Sequence, residues 1–139
     1  MTTLPADFVD LLRRRAFAHL GVALRDGSVA VYPVWCDYDG HTLNFVSNKA
    51  SGKYRVIRRN PRVTLCLSDP DNPYRYLEVR GTVQRIEEGG ADALLDGLTR
   101  KYTGLDAYPD RSQQGNRVIF RLTPEKVVAY VSSNFPPRN

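Results

Sequence analysis

Val46-Ser47-Asn48-Lys49-Ala50-Ser51-Gly52-Lys53-Tyr54-Arg55-Val56-Ile57-Arg58-Arg59-Asn60-Pro61-Arg62-Val63 is the stretch on which the fold turns. It reads as a strand end, a polar loop with two lysines, a basic helical segment opened at Ser51 and stopped before Pro61, and a new strand. The first backbone N–H groups of a helix have no partner inside it, and the peptide dipoles add positive potential there. Lys49 and Lys53 add full charges, so the loop and helix start suit a phosphate. The rest of the chain reads as a β scaffold that presents them.

Working outward on the N-terminal side, Pro5 to Arg15 has the spacing of a short amphipathic helix that caps one end of a barrel. Phe17 to Leu24 is an almost unbroken apolar run, the pattern of a strand buried on both faces, with His19 as a hydrogen-bonded core residue. Asp26-Gly27 signals a hairpin, and Val29 to Asp37 follows as a strand. Pro33 lacks an N–H and puts that strand at an edge or a bulge. After the Asp39-Gly40 turn, His41 to Val46 completes a three-stranded meander.

On the C-terminal side, Val63, Leu65 and Leu67 alternate with Thr64, Cys66 and Ser68, the period of a half-buried strand. A polar loop, Asp69 to Pro73, leads to a long strand from Tyr74 to Ile86, in which Gly81 marks a bulge. Glu87 to Tyr102 reads as a helix with Ala91, Leu94, Leu95 and Leu98 on its apolar stripe. Residues 103–114 form a loop that is either an ordinary surface connection or a lid. Arg117 to Leu122 and Lys126 to Val131 make a final strand pair around Thr123-Pro124-Glu125, and the Pro-rich tail from Ser132 has no regular structure. One mainly β (α+β) domain spanning residues 1–139 is expected.

Composition narrows the function classes. A formal net charge of +5 permits anionic partners, but the arginines are spread along the chain and no RNA- or DNA-binding signature accompanies them, so nucleic acid is not expected. No apolar run is long enough to span a membrane and no signal peptide pattern opens the chain, which points to the cytoplasm. Cys36 and Cys66 sit in strand-like runs as buried reduced thiols. No Walker or dinucleotide fingerprint occurs, no serine elbow accompanies the two histidines, and no metal-ligand spacing is present. The chemistry left is that of a cofactor bringing its own reactivity, with catalytic residues unassigned.

Five segments in register, the Phe17–Leu24 strand, the Asp26-Gly27 hairpin, Val31-Tyr32-Pro33-Val34-Trp35, Lys53 to Val63, and Glu78-Val79-Arg80-Gly81-Thr82-Val83, resemble a known family. This is the family of flavin- and deazaflavin-binding split β-barrel proteins related to pyridoxamine 5′-phosphate oxidase, especially the branch that uses coenzyme F420. The resemblance implies an FMN-binding type split β-barrel with a few peripheral helices, and a homodimer with the cofactor in a groove between subunits. By matching position, Lys53 contacts the cofactor phosphate, Lys49 and Ser51 add contacts to phosphate or tail, Tyr32, Pro33 and Val34 border the ring system, and Val46, Ser47 and Asn48 end the strand beneath it. Ser51 and Val56 stand where some relatives carry Arg and Asn, so part of the usual polar clamp is absent. The implied activity is hydride transfer from reduced F420 to a small unsaturated or conjugated acceptor. The alternatives are an FMN-dependent oxidoreductase and a non-catalytic cofactor carrier or sensor.

Overall fold

Alternation of apolar residues lays down seven strands, and the computed structural model, which describes residues 2–134, joins them in one antiparallel sheet. In chain order they are β1 (Ala18–Ala23), β2 (Val29–Val34), β3 (Asp37–Tyr38), β4 (Leu43–Asn48), β5 (Arg62–Asp69), β6 (Asn72–Glu87) and β7 (Arg117–Val131). Their order across the sheet is β2-β1-β5-β6-β7-β4-β3, and the sheet curls into a split barrel. Three helices lie at its margins: α1 (Asp10–Arg13), α2 (Gly52–Arg59) and α3 (Ala91–Thr103). The inner face is filled by Leu20, Leu65, Leu67, Leu77 and Leu122, all fully buried, and by Phe45 stacked on Phe120 at 5.0 Å.

The β5 alternation holds, with Val63, Leu65 and Leu67 inward. Gly81 sits at a register shift between β6 and β7, as its place in a long strand suggested. Several other expectations are corrected. The expected meander does not form: β4 pairs with β7, from Leu43↔Leu122 to Asn48↔Arg117, on the far side of the sheet from β2. Pro33 lies on the edge strand β2, where it withholds a donor, and the chain leaves the strand after Val34. The final strand pair is one continuous strand, because Pro124 falls opposite Gly81 at the bulge, where no ladder donor is needed.

β1 is not buried on both faces. Ala18, Leu20 and Val22 point inward, while His19 and Ala23 are exposed, so His19 is a surface residue. The outward positions read as apolar only because Gly21 and Ala23 are small. The N-terminal helix is broken into a 3-10 turn at Ala6–Phe8 and the single turn of α1. The loop after β5 shrinks to Pro70-Asp71, and α3 starts only at Ala91, after Gly90 takes a φ of 84°. Cys36 and Cys66 are both free, the first buried and the second half-buried. Of the tail read as irregular, residues 135–139 lie outside the described residues.

Charge fastens the N-terminal segment to the sheet. The Arg75 guanidinium donates to Asp10 at 2.7 Å and Asp69 at 3.0 Å and lies over the Phe8 ring at 4.7 Å, while Arg14 donates to Asp69 at 3.0 Å and pairs with Asp71. The Arg75 hydrogen bond holds the Asp10 carboxyl below its usual range despite partial burial. Burial alone would raise Asp69, but the Asp71 N–H and both arginines outweigh it and hold it low. Asp39 is likewise brought to about 2 against its burial, by the N–H groups of Thr42 and His41 and the side chains of Asn44 and Thr42.

A carboxyl depressed in the folded state stabilises fully above its unfolded pKa, near 3.9, and loses that contribution as pH falls through the folded value. The urea midpoint should therefore drop on acidification below about pH 4. Asp69→Asn should lower the midpoint at neutral pH and flatten the acid limb. An acid limb identical to that of the unsubstituted protein would remove Asp69 from this account.

Candidate functional site

The loop between β4 and α2 is built by its own short polar side chains. Asn48 Oδ1 accepts from the Ala50 N–H at 2.9 Å. Ser51 caps α2 by accepting from the Tyr54 N–H at 3.2 Å, and its hydroxyl donates to the Asn48 carbonyl at 2.9 Å while accepting from Ser47 at 2.8 Å. A Ser at the N-cap satisfies one of the orphan donors of a helix start. Lys49 turns away and pairs with Glu88. Lys53 is different: it is half-buried, its Nζ lies 5.1 Å from the Tyr32 ring centroid, and no carboxylate pairs with it among the described residues.

Lys53 stands where two cavities meet. One, of about 270 Å³, is apolar and aromatic, walled by Phe17, Pro33, Val34, Trp35 and Leu98. The other, of about 230 Å³, is polar, walled by Ser47, Asn48, Asp110, Gln113 and Arg117. Val46, Lys53, Leu95 and Tyr108 line both, so the two form one cleft with an aromatic half and a charged half. Of the residues named from sequence, Lys53, Pro33, Val34, Val46, Ser47 and Asn48 converge here, and Tyr32 lies under the Lys53 ammonium. Lys49 and Ser51 do not line the cleft. A separate depression of about 500 Å³ lies elsewhere, on the outer sheet face, between Gly21, Val29, Arg62, Arg80 and Lys126.

Other contributors to the cleft escaped sequence reasoning as site residues, among them Trp35, Leu95, Leu98, Gln113 and Arg117. Trp35 carried a signal, being the single tryptophan and lying two residues past Pro33. Its position is set from α3. Lys101 Nζ donates to the Cys36 carbonyl at 2.7 Å, and the Tyr102 hydroxyl accepts from the Cys36 N–H at 3.2 Å and donates to the Ala16 carbonyl at 2.9 Å. The Trp35 ring then stacks on Tyr102 at 5.3 Å.

Burial pushes the Tyr102 phenol up to about 12 and lowers the Lys101 pKa, the marks of groups spent on structure. Tyr76 packs against Tyr130 at 5.5 Å on the outer face. Of Tyr76, Tyr102 and Tyr108, phenols that could supply a proton to a bound acceptor, Tyr108 is the one that lines the cleft.

Residues 4–130 match the family of pyridoxamine 5′-phosphate oxidase. The chain belongs to that family. No curated protein matches the sequence. Among solved structures, an F420 reductase is 36% identical, over 90% of this chain and 98% of its own, with a TM-score of 0.81. A conserved hypothetical protein from Mycobacterium tuberculosis shares the fold at 20% identity, covering 100% of this chain and 92% of its own, with a TM-score of 0.75. The General Stress Protein 26 of Bacillus anthracis does so at 18% identity, over 88% and 90%, with a TM-score of 0.66. The sheet order is that of a mainly β split barrel. No helix among the described residues is long and apolar enough to cross a membrane.

Proposed function

We propose that this oxidase-family protein is an oxidoreductase that holds the deazaflavin coenzyme F420 in the Lys53 cleft and passes a hydride to a small conjugated acceptor. The observation that carries the reading is the division of one cleft into an aromatic half and a polar half, with the Lys53 ammonium, unpaired among the described residues, at their junction. Likeness to an F420 reductase over nearly the whole chain supports the deazaflavin over FMN. The residues fit such a group: a flat ring system matches walls made by Pro33, Trp35 and Phe17, and an anionic chain matches Lys53, Asn48 and Gln113.

When bound, the reduced cofactor supplies the hydride. The chain's own residues do the rest. Lys53 neutralises the anionic end, the amides of Asn48 and Gln113 orient it, and the apolar wall of Phe17, Leu95 and Leu98 excludes water from the reacting face. Holding two flat reactants in contact is itself worth a large part of a barrier, so a triad or metal is not required. The loop at Lys49 and Ser51 contributes through its fold: Ser51 fixes the helix start that carries Lys53.

A second copy of the chain covers the outer face in this proposal. Val29 and Val31 on β2 and Tyr130 on β7 are 65%, 60% and 49% exposed on that side of the sheet, apolar side chains that an isologous dimer would cover. The cytoplasm, where unpaired thiols persist, is the compartment assigned. The test is anaerobic mixing of the protein with reduced F420 and a panel of enones and quinones. Reoxidation dependent on both protein and acceptor is expected. Tight binding with no turnover would make the protein a carrier, and turnover with FMN alone would reassign the cofactor.

A further inference from the structure

The segment between α3 and β7 is strapped at both ends. Asp96 Oδ1 accepts from the Tyr108 N–H at 2.9 Å and from Arg111 at 3.1 Å. One helical turn earlier, Asp92 accepts from the Gly115 N–H at 3.0 Å and from Arg117 at 2.9 Å, so both carboxylates face the same segment. Arg117, only 5% exposed, donates also to the Asp110 carbonyl at 2.7 Å, and Arg100 donates to the Asp106 carbonyl at 2.8 Å. Six polar contacts of this kind hold the segment against α3 and the start of β7. Backbone and side-chain hydrogen bonds to charged groups are among the stronger ones.

The strap fixes one ring. Tyr108 meets Trp35 in a T-shaped contact, with centroids 6.2 Å apart and planes at 79°, and the Arg117 guanidinium lies over the Tyr108 ring, 5.3 Å from its centroid. The phenol thus stands at the junction of the two halves of the cleft, beside Trp35. A ring in contact with both an indole and a guanidinium cannot rotate away without losing both contacts.

We infer that Tyr108 is the specificity-determining residue of the cleft: held by Asp96 and Arg117, its ring limits the length of the flat conjugated molecule that lies along Trp35. Asp96 is a positioning residue that acts through Tyr108. The inference rests on the reading of the cleft as a site for planar ring systems, and extends it by naming what sets the size of the ring.

The sole tryptophan supplies the readout, since a single indole N–H resonance in the 1H–15N spectrum belongs to Trp35. The full chain is titrated with a naphthalene sulfonate (two rings) and an anthraquinone sulfonate (three rings), and the affinity ratio is taken from the Trp35 shift. Tyr108→Ala should move the ratio toward the three-ring probe by about tenfold, the scale at which pocket size discriminates apolar groups. Tyr108→Phe should keep the original ratio. Asp96→Ala should move it in the same direction as Tyr108→Ala, and Asp96→Asn, which keeps the acceptor oxygen, should restore it.

A ratio within twofold of the original in Tyr108→Ala would overturn the inference, as would a Trp35 resonance that neither probe shifts in any variant. Binding of F420 is measured alongside. Failure to bind it with an intact Tyr108 effect removes the cofactor assignment alone, while F420 binding with an unchanged ratio removes Tyr108 alone.

Discussion

Lys53→Ala is expected to weaken F420 binding by about ten- to hundredfold. A charge-assisted contact to a phosphate is worth about 1.5–3 kcal/mol, and each 1.4 kcal/mol is a factor of about ten. The geometry makes this lysine the one to remove. Lys49 spends its charge on Glu88. Arg55 donates to the Ala50 carbonyl at 3.2 Å, and Arg58 lies over Tyr54 at 5.4 Å. Lys53 faces both halves of the cleft with only the Tyr32 ring beneath it. Lys53→Arg should recover part of the loss by restoring charge, whereas Lys49→Ala should change affinity far less. Fluorescence polarisation of F420 measures all three, and equal affinity in Lys53→Ala would remove Lys53 from the site.

Gly81→Ala is expected to be the most destabilising methyl addition in the chain. A Cβ at Gly81 would lie 2.0 Å from the Thr123 carbonyl oxygen and 3.0 Å from its carbon. Both are backbone atoms of the neighbouring strand, so the ladder itself would have to open. That strand is where Pro124 is accommodated, and the register shift depends on the close approach. Overpacking of this kind costs about 3 kcal/mol or more, a fall in Tm of roughly 10 °C for a domain of this size. Gly89→Ala is the control, since nothing lies within 4 Å of its Cβ and the change should fall within about 0.5 kcal/mol. Thermal unfolding of the two variants side by side decides the matter; an unchanged Tm in Gly81→Ala would contradict the described β6–β7 bulge.

What sequence made legible follows from what is local. The β5 strand could be read because period two is a property of eight consecutive residues, and α2 because Ser51 and Pro61 bracket it. Gly81 was legible for the same reason. Pairing was not. The pattern of Leu43 to Asn48 says which residues point inward but not that their partner lies beyond residue 116, and that choice is made by the closing of the sheet.

The cleft divides the same way. Lys53 and the Pro33–Val34 edge were visible because loop, helix start and strand adjoin in sequence. The placement of Tyr108 and Arg117 was not, because it depends on two carboxylates of α3 holding a polar segment back against Trp35. Ser51 shows the reverse case: it was read as a ligand contact, and its hydroxyl is engaged in three hydrogen bonds that shape the helix start.

Native mass spectrometry of the protein after exposure to an equimolar mixture of F420 and FMN tests the central claim most directly. A dimer carrying two F420 molecules, reduced to bare protein by Lys53→Ala, is the predicted result. Retention of FMN in preference to F420, or of neither, would contradict it.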